Sequence, residues 1–529
     1  MSDGKKLNPR ASGVIAIAVM FSRVLGLIRE ILFNALFGTA SMGIFIVAFR
    51  IPNLLRDLFA EGALSTAFIT VFSQKIEKEG ENAAWGLAAR MLTLTIVFMS
   101  GVTILGILLS RPLIGLLAGG FLPEHREMTI LLTQIMFPFI LMVSLAALVM
   151  GMLNSRNVFG VPAMASSFFN IGSIVGGLLI GWWIDPQFGQ RALIGLAAGT
   201  LIGGLLQLVT QLPSLRRVGF AFRPDFRWND PGIRRILILM VPSVIAASAV
   251  QINVMVNTSF ATHLGSEAVT WLNSAFRLMQ LPLGIFGVAV ATITLPVVSR
   301  IAAQADRADF GPTLGKALRL AVFLTLPSAV GLYFLAQPII SLIYQRMAFT
   351  AGDALQTGFA LQYYAMGLVA YSWVKVLSPA FYAIDKKWTP MFVSFVSIAL
   401  NFGLNTLFIF HLGFGHKGLA LSTSVSAAVN FLVLYVLMCR HVQTMHTARL
   451  LGSALRCALG AAALGAVCWL GVTHGQSWLE SPVLWRKMAG LVAVIAAAGL
   501  AYVVVCFLLR VEEVRDAGKI AARKILRRR

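Results

Sequence analysis

Residues 12–37 read SGVIAIAVMFSRVLGLIREILFNALF, an apolar run long enough to cross a bilayer that nevertheless carries Arg23, Arg29 and Glu30. The next run, 41–73, contains RIPNLLRDLFAEG at 50–62 and so adds Arg50 and Arg56. A fifth arginine, Arg277, lies in a further run at 267–299. A guanidinium in hydrocarbon costs ~2.5–3.5 kcal/mol on insertion scales. Several of them in apolar runs predict helices that line a water-filled, cationic cavity. Such a wall suits an anionic cargo, because the guanidinium fork matches carboxylate or phosphate oxygens and keeps its proton. For any single arginine the alternative is snorkelling to the headgroups, or a structural pair with Glu30, Asp57 or Glu61.

Composition supports the membrane. The 529 residues are 58% hydrophobic and 12% charged, with mean hydropathy +0.82, whereas a soluble chain carries about 25% charge. Fourteen apolar runs can be marked, at 12–37, 41–73, 84–110, 127–153, 160–183, 189–213, 233–262, 267–299, 313–336, 354–384, 388–411, 418–439, 450–473 and 484–510. They are numbered spans 1 to 14 below. Their length calls for helices rather than barrel strands. Span 1 is not a cleavable signal peptide, since it holds two arginines, lacks a small-residue cleavage site and continues into span 2.

The net charge of +22 could suggest nucleic acid, but its distribution excludes that partner. Most Lys and Arg fall in loops on the N-terminal side of the membrane, including Arg216, Arg217, Arg223, Arg227, Arg234 and Arg235 in one loop. By the positive-inside rule both termini are cytoplasmic. The basic tail, ending Arg527, Arg528 and Arg529, is expected to rest on anionic membrane lipids.

No catalytic pattern emerges. His125, His263, His416, His441, His446 and His474 are scattered, no HExxH is present, and no Walker A motif offers ATP hydrolysis. Cys439, Cys457, Cys468 and Cys506 lack CxxC spacing and read as small core residues, with no metal implied. Transport must then be driven by an ion gradient, by membrane potential or by the cargo's own gradient.

An internal repeat organises the chain. Phe49-Arg50 with Leu54 and Phe59 matches Phe276-Arg277 with Leu281 and Phe286, an offset of 227 residues (50 to 277). Asn157 and Pro162 match Asp385 and Pro390 at 228 (157 to 385). The shift is six spans, an even number, so the expected fold is all-α with two parallel six-helix lobes and two extra helices. Residues 1–215 form an N-lobe of spans 1–6 with the cationic cavity, 216–235 a basic cytoplasmic loop, and 236–440 a C-lobe of spans 7–12. Residues 441–529 hold spans 13–14 and the tail.

Around the arginines, Ser22, Gly26 and Arg29 fall near one helical face, with Arg23 and Glu30 paired beside it. Gly26 admits a bulky neighbour, and Pro52 frees a carbonyl, as helices lining cavities tolerate. Asn53, Asp57 and Glu61 surround Arg56. Pro282, Gly284 and Gly287 are candidate flex points in span 8. Asn257, Asn401, Asn405, Ser422 and Thr423 could hold a monovalent cation or simply bond between helices. Lys375 is a further candidate for a buried cation.

FSRVLGLIRE (21–30) followed by FRIPNLLRDLFAEGALSTAF (49–68) resembles the MurJ/MviN family of bacterial lipid II flippases, within the multidrug/oligosaccharidyl-lipid/polysaccharide exporter superfamily. The resemblance continues through Arg277-Leu278-Met279, VKVLSPAFYA (374–383) and GLALSTS (418–424), and so covers nearly the whole chain. It implies about fourteen helices, alternating access and a bacterial inner-membrane location. It also implies a cavity that receives the pyrophosphate of the undecaprenyl-linked peptidoglycan precursor. By motif match, the essential family arginines correspond to Arg23, Arg29, Arg56 and Arg277, with Ser22 adjacent. A sodium site of some relatives maps to Asn257, Asn401, Asn405, Leu419 and Thr423, but this chain has Asn257 and Asn405 where they carry aspartate. A family acidic position is Gly43 here. Export of another polyprenyl-linked glycan or of drugs is the alternative. Drug exporters have less need of arginines, and a membrane glycosyltransferase would need larger outer loops.

Overall fold

The computed structural model describes residues 9–59, 63–304, 307–442 and 445–514, which are mostly helical and contain no strand. Helices satisfy every backbone N–H and C=O within one segment, and hydrocarbon offers no water to do so instead. Among the described residues eleven helices are long and apolar enough to cross a membrane, and Pro231–Ile245 with Ala247–Thr262, bent by 41°, adds a twelfth. Pro242 lies just before that bend, where its ring removes a helical hydrogen bond.

This count leaves out two more crossings. Ile17–Glu79, at 63 residues, is far longer than the about 20 that one crossing needs. Gly38 divides it at φ 72° and ψ 170°, a conformation essentially closed to residues with a side chain. Span 10 is the pair Ala351–Met366 and Leu368–Ala383, interrupted at Gly367. The chain thus makes about fourteen crossings.

The chain forms two compact units, meeting at Val269 and Thr270. In the first, spans 2, 3, 4 and 7 pack around Phe68, Phe72, Leu87, Met91, Met152 and Ile236. Gly160–Ile184 and Leu193–Val209 (spans 5 and 6) meet backbone to backbone. A methyl group added at Gly195 would lie 2.2 Å from the Gly181 nitrogen, and one at Gly199 2.3 Å from the Gly177 nitrogen. One at Gly203 would lie 2.5 Å from the Phe169 carbonyl oxygen. The four-residue spacing puts these glycines on one face, as membrane helices use small residues to approach.

The second unit repeats details of the first. Glu81–Leu108 and Phe310–Phe334 (spans 3 and 9) each end in a leucine, Leu109 or Leu335, followed by an eight-residue helix, Ser110–Leu117 or Ala336–Ile343. Spans 4 and 10 close identically. Asn157 and Asp385 take left-handed φ of 61° and 59°, and Val158 N–H donates to the Leu153 carbonyl as Lys386 N–H does to Phe381, both at 2.9 Å. Asn and Asp adopt this helix-ending conformation at small cost. Spans 13 and 14, Thr447–His474 and Leu484–Leu508, cover span 9, with the Tyr502 hydroxyl donating to the Phe323 carbonyl at 2.8 Å.

The glycine seam sets an expectation. Gly199→Ala should destabilise by ~1–3 kcal/mol through overpacking, read as a lowered melting temperature of the detergent-solubilised protein. Gly101→Ala, facing open space, should leave it unchanged. Equal melting temperatures for both variants would remove the seam's importance.

Candidate functional site

Spans 1 and 2 carry the cationic motif, and span 5 supports it. Asn170, 6% exposed, donates its amide to the carbonyls of Ser22 and Ser166, both at 3.1 Å. The same amide lies beside Gly26, so the residue admitted by that glycine is Asn170. Its neighbour Phe169 presents its ring to Arg29, whose guanidinium carbon sits 5.0 Å from the ring centroid. A cation over an aromatic face gains ~0.5–2 kcal/mol and fixes the plane of the fork.

Ser22 and Arg29 are half-buried. Arg23 is exposed, whereas Glu30, expected beside it, is buried at 8%. The two share a stripe of the helix but not an environment, since neighbouring helices cover the later turns of span 1 and leave the earlier ones open. Arg50 is half-buried and Pro52 is buried inside continuous helix.

One turn further on, Asp57 gathers a polar cluster. Arg56 donates to its Oδ1 from Nη2 at 2.9 Å and Nε at 3.2 Å, Gln251 of span 7 donates to Oδ2 at 2.9 Å, and Asn53 at 3.5 Å. Arg56 therefore has its structural partner in Asp57; Glu61 lies outside the described residues. Gly43 seats against the Ser266 backbone, where an added Cβ would fall 1.9 Å from the carbonyl oxygen. No acidic side chain fits there.

In the second unit, Arg277 is exposed on Ser266–Pro282, and its neighbour Phe276 meets the Tyr364 ring at 5.2 Å. The helix then widens into a π turn at Leu283–Gly287, the region of Pro282, Gly284 and Gly287. Such turns store an extra residue and mark places where helices adjust. Lys375 is exposed, not buried. Its neighbours Val376 and Leu377 are the residues that face the core, so the helix turns Lys375 outward.

Asn401, Asn405, Ser422 and Thr423 form a buried network in the same unit. Asn405 donates to Asn401 Oδ1 at 3.2 Å, Asn401 to Ser422 at 3.4 Å, and Ser422 to Asn405 Oδ1. Thr423 and Ser422 both donate to the Leu419 carbonyl, at 2.7 Å and 2.9 Å. These neutral groups satisfy one another, as buried polar groups in membranes must. Asn257 is half-buried on span 7, in the first unit.

Phe169, Asn170 and Gln251 were not singled out in the sequence. For Asn170 and Gln251 the signal was present: an amide in the middle of an apolar run is costly unless it serves a neighbour.

The family model described as "Lipid II flippase MurJ" matches residues 33–488. The chain belongs to the lipid II flippase MurJ family. It is 34% identical over 514 residues to the probable lipid II flippase MurJ of Vibrio cholerae, covering 94% of this chain and 96% of that one. It is 33% identical over 434 residues to the lipid II flippase MurJ of Burkholderia cenocepacia, covering 81% and 83%. A solved lipid II flippase MurJ in an inward closed conformation matches with TM-score 0.75 and 26% identity, over 94% of this chain and 98% of that one. An inward-facing multidrug resistance MATE transporter of the MOP superfamily shares the fold, with TM-score 0.67 at 15% identity over 82% and 98%.

The Asn170 clasp can be tested directly. Asn170→Leu should cost ~1 kcal/mol by stripping a donor from two carbonyls, while Gly26→Ala, whose methyl would stand 3.8 Å from Asn170, should be tolerated. Thermal unfolding that ranks the two the other way would show that the clasp contributes nothing.

Proposed function

We propose that this chain is a lipid II flippase of the bacterial inner membrane, moving the undecaprenyl-pyrophosphate-linked peptidoglycan precursor from the inner to the outer leaflet by alternating access. It is a transporter, not an enzyme. The observation that carries the reading is the family match from residue 33 to 488, on a chain whose spans hold Arg29 against Phe169 and Arg56 against Asp57. Arg23, Arg29, Arg56 and Arg277 receive the pyrophosphate, with Ser22 beside them. Bidentate guanidinium contacts are geometrically matched to phosphate oxygens. Both termini are cytoplasmic.

Arg29→Ala, Arg56→Ala and Arg277→Ala should each abolish complementation of a flippase-depleted strain while protein levels stay near normal. Lysine at these positions should rescue poorly, because an ammonium offers no planar fork. Growth of all three alanine strains at normal expression would sink the cationic-cavity reading.

Membrane potential is the proposed driver, acting on the arginine-bearing spans at ~2.3 kcal/mol per charge per 100 mV. Asn257 and Asn405 bear no charge, and Asn401, Asn405 and Thr423 already bond to neighbours, so sodium should matter little. Transport in proteoliposomes should follow an imposed potential; a saturable sodium requirement lost on Asn257→Leu would overturn this.

A further inference from the structure

The loop between spans 6 and 7 has no regular secondary structure from Phe220 to Asp230, yet it is firmly held. Phe220, 5% exposed, is buried in the core against Trp85, with ring centroids 5.3 Å apart. Arg90 of span 3 donates from Nε to Asp225 at 2.9 Å and from Nη1 to Asp230. The Asp225 N–H donates to Thr93 Oγ1 at 3.1 Å, and Asp230 caps span 7 by accepting from Gly232 N–H at 2.6 Å. Arg227 folds back on Asp225 at 2.7 Å. Hydrogen bonds from Arg227, above all, hold the Asp225 carboxyl well below the usual carboxylate range, so the clamp stays ionised at cytoplasmic pH.

With its anchors turned inward, the loop turns the rest outward. Phe222, Phe226 and Trp228 are 45%, 64% and 37% exposed, and Phe226 meets Trp228 at 5.9 Å. Arg216, Arg217, Arg223, Arg234 and Arg235 are exposed around them. Asp225 and Asp230, the only acids between 216 and 235, are both engaged by Arg90, so the exposed positive charge is left uncompensated within the loop. Three rings facing water would be unfavourable, and a rigid backbone gives them no way to turn inward. The loop is also short and flanked by two crossings, ending at Arg217 and beginning at Pro231, which brings it within reach of the headgroups. Aromatic rings favour headgroup depth, and arginines there are drawn to anionic phosphates.

We propose that the 219–230 loop is a docking element for anionic phospholipid, with Phe222, Phe226 and Trp228 seated among the headgroups and the flanking arginines on their phosphates. Through Arg90 and the Asp230 cap, this contact is tied to spans 3 and 7.

The test uses the full chain in nanodiscs, carrying Asn229→Cys labelled with an environment-sensitive fluorophore in a Cys439→Ser background. Nanodiscs contain phosphatidylcholine alone or with phosphatidylglycerol, each doped with a lipid bearing a shallow nitroxide quencher. Quenching should be strong with phosphatidylglycerol, weak without it, and reduced by salt. Each change among Arg216→Gln, Arg217→Gln and Arg223→Gln should lower the ratio of quenched to unquenched label about fivefold in low salt, ~1 kcal/mol per charge. The pair Phe226→Ser and Trp228→Ser should abolish quenching. Equal quenching in both lipids, or none in either, overturns the proposal. So does protection of the label that appears only when soluble protein is added, since the rings would then belong to a protein partner.

Discussion

Charge in a place without water is the constraint on which this structure depends. Each guanidinium in a span must meet a partner, a ring face or a water-filled surface, and the chain supplies a different answer for each. Arg29 lies over Phe169, and Arg56 meets Asp57, which is itself held by Gln251 and Asn53. Arg90 of span 3 takes two carboxylates from a loop. Such partners matter because an unpaired guanidinium in hydrocarbon is costly.

The support for these cations comes from close helix packing. Spans 5 and 6 approach until glycine faces glycine, and the same seam fixes the backbone at Phe169. Position and chemistry are therefore linked: the helix that stacks on Arg29 and clasps Ser22 is the helix that the glycines hold. Adjustable points lie elsewhere. The π turn at Leu283–Gly287, the 41° bend in span 7 and the break at Gly38 interrupt regular helix within or between spans. Rocking of lobes in alternating access needs such points, since packed seams do not deform continuously.

Much of this was legible in the chain itself. Apolar runs long enough to span a bilayer, interrupted by arginine, fix an all-helical membrane protein with about fourteen crossings. Part of the repeat was legible too, from Asn157 against Asp385, which share a left-handed turn that both residues favour. These features are local: hydropathy, turn chemistry and charge are properties of consecutive residues.

Contacts between distant residues were not legible. Nothing in the sequence placed Asn170 beside Gly26, Gln251 on Asp57, or Arg90 between Asp225 and Asp230, pairs separated by up to 194 residues. Equally, composition cannot show that Asn401, Asn405, Ser422 and Thr423 satisfy one another, or that Gly43 is filled by the Ser266 backbone. The sequence determined which residues would be costly in a membrane. Tertiary packing decided which neighbour offsets each cost, because that depends on how helices far apart in the chain come together.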